Sequence, residues 1–170
     1  MKKLLGLVLL AVLFLGCKKT GSSREEDCAY DACALKAPTT EIENVKAYLA
    51  ANNITNAVEH CSGVFYIVEA PGSGMAPDVC SFITASYVGR IANGPIFDQS
   101  SPGQYLQIYL SQLIRGWINA LPYIKAGGKI KLYIPPSLGY GAEDQKDQNG
   151  NVVIPGNSIT IFDVELVDVN

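Results

Sequence analysis

The sequence predicts an α+β domain in which an antiparallel, twisted β-sheet wraps a short helix, preceded by a short N-terminal helix. From about residue 63 onward, stretches rich in β-branched and aromatic residues alternate with Gly and Pro turn clusters. Helical periodicity occurs only in two short segments. With 48% hydrophobic residues in 170, the chain can bury one adequate core, and no second domain is needed.

The first predicted helix spans residues 41–51. Thr40 followed by Glu43 has the pattern of a capping box, and Asn52-Asn53 ends the segment. Its apolar positions recur at helical spacing: Ile42, Val45 and Leu49. Three turns offer little surface for dimerisation, so we expect this helix to pack onto its own domain and the protein to be a monomer.

Five strands and a second helix follow. The second helix is predicted over residues 116–124, limited by Pro122 inside it and by Gly127-Gly128 after it. The strands are predicted at residues 64–68, 82–88, 106–110, 129–134 and 159–167.

The chain begins like an exported protein. Lys2-Lys3 precede an apolar run over residues 4–15, which is shorter than the roughly 20 residues that span a bilayer. Gly16-Cys17 then resembles the end of a bacterial lipoprotein signal, which implies a signal peptide over 1–16 and a lipidated Cys17. Residues 17–37 are then the anchor and its flexible tether. An ordinary signal peptide with an incidental Cys is the alternative.

Charge and cysteines narrow the class further. The chain has 13 basic and 16 acidic residues, and this net negative charge argues against a nucleic-acid partner. Four cysteines remain after Cys17, and in an exported protein they predict two disulfides with three pairings open. We favour Cys28 with Cys33, and Cys61 with Cys80. A zinc site is the alternative, but His60 is the only histidine, so we expect no metal.

Five ordered motifs carry a family resemblance. They are Tyr87-Val88-Gly89, Phe97-Asp98, Leu113-Ile114-Arg115-Gly116-Trp117, the segment from Ile134 to Gly141, and the segment from Ile159 to Leu166. Together they resemble an FKBP-type peptidyl-prolyl cis-trans isomerase, here in a bacterial lipoprotein form. The resemblance covers residues 63–170, which sets an isomerase domain at 61–170 and a helical extension at 38–60.

The resemblance also implies a site. Trp117 becomes the pocket floor, Asp98 acts at the carbonyl end of the rotating amide, and Tyr140 offers its hydroxyl to a substrate carbonyl. The Ile114 N–H donates to another carbonyl. The expected walls and rim are Tyr87, Phe97, Phe162, Leu113 and Ile154. For Phe162 and Leu113, a role as core residues remains the alternative.

The sequence departs from the family pattern in three places. No Arg follows the Phe-Asp pair between Arg90 and Arg115, so Asp98 must be oriented by other donors. The segment after Asp98 is short, so the family's further aromatic residue has no clear counterpart, and Leu106 is a candidate for its place. The loop from Tyr140 to Ile154 is long and polar; a solvated flap is expected, with a calcium loop at 147–151 as the alternative.

The implied function is peptidyl-prolyl isomerisation of exported proteins in the cell envelope, anchored by lipid to a bacterial membrane. We expect the periplasmic side of the outer membrane. Amide rotation requires no proton transfer or covalent intermediate, and a dry aromatic pocket favours the twisted state, so no cofactor is expected. The expected partners are proline-containing polypeptides and the membrane. Two alternatives remain, a proline-binding chaperone module that barely turns over and a structural envelope lipoprotein.

Overall fold

The computed structural model describes residues 28–170. The predictions for the signal peptide, Cys17 and the beginning of the tether therefore lie outside the described residues. Across residues 28–170, no helix has both the length and the apolar character needed to cross a bilayer.

The N-terminal helix forms as predicted, over Thr39–Ala51 (α1). Its apolar face, Ile42, Val45 and Leu49, is buried in the core of the domain. The predicted capping box is wrong, because Pro38 is the N-cap and no side chain caps the helix. Glu41 in the first turn instead accepts a hydrogen bond from the Ser137 N–H (2.9 Å). The helix is thus fixed by tertiary contacts, as short amphipathic helices generally are.

The predicted antiparallel sheet is confirmed. Its strands are β1 (Val58–Glu59), β2 (Phe65–Ala70), β3 (Phe82–Ile91), β4 (Ile96–Gln99), β5 (Leu106–Tyr109), β6 (Gly128–Ile134) and β9 (Thr160–Val169). They lie in the order β1-β2-β6-β9-β3-β4, and β5 also pairs with β3. Every pair is antiparallel. The two longest strands, β3 and β9, pair over nearly their whole length and carry Tyr87 and Phe162.

The second helix is shorter than predicted. It spans Arg115–Ala120 (α2) and gives way to a 3-10 turn at Leu121–Tyr123, where Pro122 cannot donate to a regular helix. From Gly116 to Ala120 every residue is buried. A Cβ on Gly116 would lie 2.5 Å from Ile134 Cδ1, so this glycine lets α2 pack directly on β6.

The long loop after Tyr140 contains a small hairpin that the sequence did not predict. Strand β7 (Gln145–Lys146) pairs with β8 (Val152–Ile154). The Asp147 carboxylate closes its turn by accepting hydrogen bonds from the N–H groups of Asn149 (2.9 Å) and Asn151 (2.8 Å) and from the Asn151 side chain. These bonds lower the pKa of Asp147 below its ordinary value. The Asp147 carboxylate therefore stabilises the turn of a flap. Its oxygen atoms face N–H donors of the turn, not other oxygen ligands for calcium in residues 147–151.

The favoured disulfide pairing is wrong. Cys28 pairs with Cys80 and Cys33 with Cys61, with Cα atoms 5.6 and 5.5 Å apart. Cys61 precedes β2 and Cys80 precedes β3, and two strands separate β2 from β3 in the sheet. With neighbouring strands about 4.8 Å apart, closeness in sequence does not bring these two cysteines together.

Candidate active site

Five aromatic rings form one cluster between the sheet, α2 and the loop after β6. Phe162 is central, with its ring centroid 5.3 Å from Trp117, 5.7 Å from Phe97 and 6.3 Å from Tyr87. Trp117 also contacts Tyr87 (5.5 Å), and Phe97 contacts Tyr140 (5.6 Å). Four of the five contacts are edge-to-face, the geometry that the ring quadrupoles favour. The structure thus brings together all five aromatic residues named from the sequence.

The pairing of β3 with β9 sets the positions of two of the rings and of one glycine. Gly89 lies opposite Phe162, and Tyr87 is two residues away on the same face. A Cβ on Gly89 would lie 2.7 Å from Phe162 Cε1 and 2.9 Å from Phe97 Cζ. Gly89 belongs to the Tyr87-Val88-Gly89 motif, but the sequence alone predicts no role for it. Its missing side chain is what lets the two rings meet.

A bulge in β4 positions Phe97. Ile96 pairs with Arg90 and Asp98 pairs with Gly89, so Phe97 is an extra residue on its strand. A bulge bends the strand and re-aims its side chains. Phe97 and the neighbouring Asp98 consequently both serve the site, which strict alternation along a strand would not allow.

Burial divides the ring cluster into a floor and walls. Trp117 and Phe162 are each 2% exposed, whereas Tyr87, Phe97 and Tyr140 are half-buried. The two innermost rings are therefore shielded from water, and the other three are partly exposed. Phe162 contacts three other rings of the cluster and is also a core residue.

Tyr87 and the backbone orient the Asp98 carboxylate. The Tyr87 hydroxyl donates to Asp98 Oδ2 at 2.5 Å, and the Gln99 N–H donates to Oδ1 at 2.9 Å. Within residues 28–170, Asp98 forms no ion pair with Lys or Arg. Burial and then the bond to Asp98 raise the pKa of Tyr87 far above its ordinary value, so its hydroxyl remains a donor. Donors other than the family's Arg thus hold this carboxylate.

Two hydrogen-bond donors stand at the pocket without a partner in the described part of the chain. The first is the hydroxyl of Tyr140, whose pKa is raised by burial and then by the nearby Asp98. The second is the backbone N–H of Ile114, the N-cap residue of α2. Unpaired donors beside a dry ring cluster are suited to carbonyl groups of a bound peptide.

Three further residues were predicted for the site, and the structure places each at a different element. Leu113 immediately precedes Ile114 and is partly buried against the core. Leu106 pairs with Ala85, two residues along β3 from Tyr87, and so lies on the same face of the sheet as Tyr87. Ile154 is buried at the end of β8 but lies outside the main core cluster.

Two groups of potential metal ligands occur away from the rings. They are Cys33 with His60 and Cys61, and Cys28 with Asp78 and Cys80, with the ligand atoms of each group within 4.8 Å of one another. The sulfur atoms of both groups are joined in the two disulfides. A zinc site needs thiolates, which these bonds consume.

Comparison with known protein sequences identifies the family of this chain. The family model described as FKBP-type peptidyl-prolyl cis-trans isomerase matches residues 74–167. The chain is 47% identical over 109 residues to the FKBP-type peptidyl-prolyl cis-trans isomerase FkpA of Buchnera aphidicola, a match that covers 64% of this chain and 43% of that protein.

Solved structures give the same fold. A peptidyl-prolyl cis-trans isomerase from Pseudomonas syringae superposes with a TM-score of 0.65 at 31% identity, covering 79% of this chain and 98% of that one. FkpA from Escherichia coli also superposes with a TM-score of 0.65, at 34% identity, covering 86% of this chain and 62% of that one. The chain spans less than half the length of the curated relatives it matches.

Proposed function

This chain belongs to the FKBP-type peptidyl-prolyl cis-trans isomerase family, and on that basis we propose that it catalyses cis-trans isomerisation of Xaa-Pro bonds in polypeptides. The observation that carries the proposal is the dry ring cluster with two unpaired donors at its edge. A protein that used this fold only as a spacer would have no need of such a combination.

The proposed mechanism follows from amide resonance. Rotation about the bond breaks conjugation and costs about 18–20 kcal/mol. The twisted amide has less charge separation than the planar one, so a dry pocket over Trp117 binds it preferentially. The Ile114 N–H and the Tyr140 hydroxyl hold the flanking carbonyl groups, and Asp98 provides a fixed negative charge at the edge. The mechanism includes no proton transfer.

The test is the exchange rate of a short Xaa-Pro peptide with the detergent-solubilised full chain. Line-shape analysis or a protease-coupled assay measures cis-to-trans exchange at catalytic protein concentration. We expect acceleration in proportion to the protein added. Peptide binding without acceleration would replace the enzyme with a proline-binding chaperone module.

We further propose that the protein acts as a monomer on exported polypeptides while anchored to a bacterial envelope membrane through Cys17. The N-terminal sequence pattern supports the anchor, and two disulfides fit an oxidising compartment outside the cytoplasm. In a bacterial host, Cys17→Ala should remove the lipid from the intact mass and release the protein from the membrane fraction. An unchanged membrane fraction contradicts the anchor without touching the enzymatic proposal.

A further inference from the structure

The segment from Cys28 to Cys33, here called the cross-linked segment, is tied to the isomerase domain near both of its ends. Cys28 is bonded to Cys80, and Cys33 is bonded to Cys61. Two such bonds restrict the positions that the residues between them can take. Tyr30 lies between them.

Tyr30 contacts the helix that carries the pocket floor. Its hydroxyl donates to Asn119 Oδ1 at 2.8 Å and accepts a longer hydrogen bond from Arg115 Nη1 at 3.4 Å. The Arg115 guanidinium carbon also lies 6.0 Å from the centroid of the Tyr30 ring, within range of a cation–π contact. Both partners belong to α2, one at its first position and the other near its end.

Helix α2 cannot fix its own position. Six residues are too few for a helix that is stable alone, and no side chain caps it. Asn119 is 2% exposed, and its Nδ2 has no hydrogen-bond partner among residues 28–170. The Tyr30 hydroxyl is therefore the only side-chain anchor that the structure shows for this buried amide.

Trp117 sits between these two anchor points along α2. Side chains two residues apart on a helix point in nearly opposite directions, so Tyr30 holds α2 from the side away from the rings. Trp117 packs on Tyr87 and Phe162 from the other side. A shift of α2 would move the floor and the neighbouring Ile114 N–H together.

We propose that Tyr30 is a positioning residue of the isomerase site: through Asn119 and Arg115 it fixes where α2 places Trp117 and the Ile114 N–H. The inference rests on the proposed isomerase function for its kinetic part. The sequence predicted the cross-linked segment to be part of a flexible tether. On this inference it is part of the site.

The test is Tyr30→Phe in the full chain, with Tyr109→Phe as the matched control. Tyr109 is 51% exposed on β5, and its ring packs on Phe82 away from the site. Since a typical neutral hydrogen bond shifts an equilibrium by about threefold to tenfold, we expect Tyr30→Phe to lower kcat/KM for an Xaa-Pro peptide by about that factor. The emission of Trp117, the only tryptophan, should move to longer wavelength. Tyr109→Phe should change neither.

A double variant separates positioning from stability. Tyr30→Phe/Asn119→Leu leaves no buried amide unpaired, so its melting temperature should recover, while kcat/KM stays low because the anchor is still missing. Recovery of kcat/KM with the melting temperature would overturn the inference, as would a Tyr30→Phe protein with unchanged kcat/KM and emission. If the parent chain itself fails to accelerate exchange, the proposed function falls, and the emission of Trp117 still decides whether Tyr30 positions α2.

Discussion

The Asp98 carboxylate is oriented without the Arg that the family usually places near it. The sequence has no Arg between Arg90 and Arg115, so an alternative donor was expected. The structure supplies the Tyr87 hydroxyl and the Gln99 N–H. Tyr87 could be placed in the pocket from its motif, but its bond to Asp98 depends on the β4 bulge and could not be predicted from the sequence.

Removing the Tyr87 hydroxyl tests this arrangement. Hydrogen bonds to charged groups contribute about 1.5–3 kcal/mol, so Tyr87→Phe should lower kcat/KM by roughly tenfold or more as Asp98 loses its orientation. The Tyr105→Phe protein is the control, since Tyr105 is exposed outside the ring cluster. Equal rates for the two variants in the peptide exchange assay would show that Asp98 needs no such donor.

His60 gives a second residue-level prediction, on stability against pH. Burial lowers its pKa below the ordinary 6.5, and its Nδ1 accepts from the Ser62 N–H at 3.1 Å, which requires the neutral ring. The unfolded chain therefore binds a proton at His60 before the folded chain does. The stability contribution is complete above about pH 6.5 and is lost as the pH falls below it.

Chemical denaturation at several pH values measures this effect. Between pH 7 and pH 5, the free energy of unfolding should fall more steeply for the parent chain than for His60→Gln. This window lies above the one for Asp147, whose lowered pKa acts below its ordinary 3.8. Parallel curves for the two proteins down to pH 5 would contradict the assignment.

At the scale of elements, strands with an apolar periodicity were predictable and strands without one were not. Strand β5 has no buried residue, yet the alternation of Leu106 and Ile108 predicted it. Strands β2, β3, β6 and β9 carry the periodic apolar residues that fill the core, and the sequence placed all four. Strand β4 is mostly exposed and contains a bulge, so no alternating pattern marks it. The hairpin β7–β8 is mostly polar or exposed and depends on the Asp147 turn network rather than on a core face.

The close approach of β3, β4 and β9 is tested by adding one methyl group. Gly89→Ala puts a Cβ within 3 Å of both the Phe97 and Phe162 rings, and overpacking of this kind costs about 1–3 kcal/mol. We expect a lower free energy of unfolding and a clear loss of kcat/KM. Gly103→Ala controls for stability alone, because at φ +75° it adds backbone strain while its Cβ meets nothing within 4 Å. If Gly103→Ala loses as much kcat/KM as Gly89→Ala at equal stability, then displacement of the rings does not explain the effect of Gly89→Ala.

At the scale of the whole molecule, the disulfides join segments that sequence spacing could not relate. The pairs are separated by 52 and 28 residues, and their contacts depend on the strand order of the sheet. The number of disulfides followed from the even cysteine count, but their pairing required the three-dimensional path. The same path brings Tyr30 to α2, 89 residues away along the chain.

The Cys33–Cys61 bond has a predictable effect on stability. Closing a loop of 28 residues restricts the unfolded chain by roughly 3–4 kcal/mol in the chain-entropy account. The Cys33→Ser/Cys61→Ser protein should unfold at a lower denaturant concentration. Its free energy of unfolding should be lower by about 3–4 kcal/mol. The parent chain, fully reduced before unfolding, is the comparison. A double variant as stable as the oxidised parent would contradict the bond.

The central claim is that the ring cluster is a catalytic pocket and not only a core. Its most direct test compares Phe97→Ala with Phe82→Ala, two half-buried phenylalanines on neighbouring strands, of which only Phe97 joins the cluster. The measurement is kcat/KM for an Xaa-Pro peptide, set against the free energy of unfolding of each variant. The pocket account predicts a loss of roughly tenfold or more for Phe97→Ala and an almost unchanged rate for Phe82→Ala at similar stability loss. An unchanged rate in Phe97→Ala, or equal losses in both variants, would contradict it.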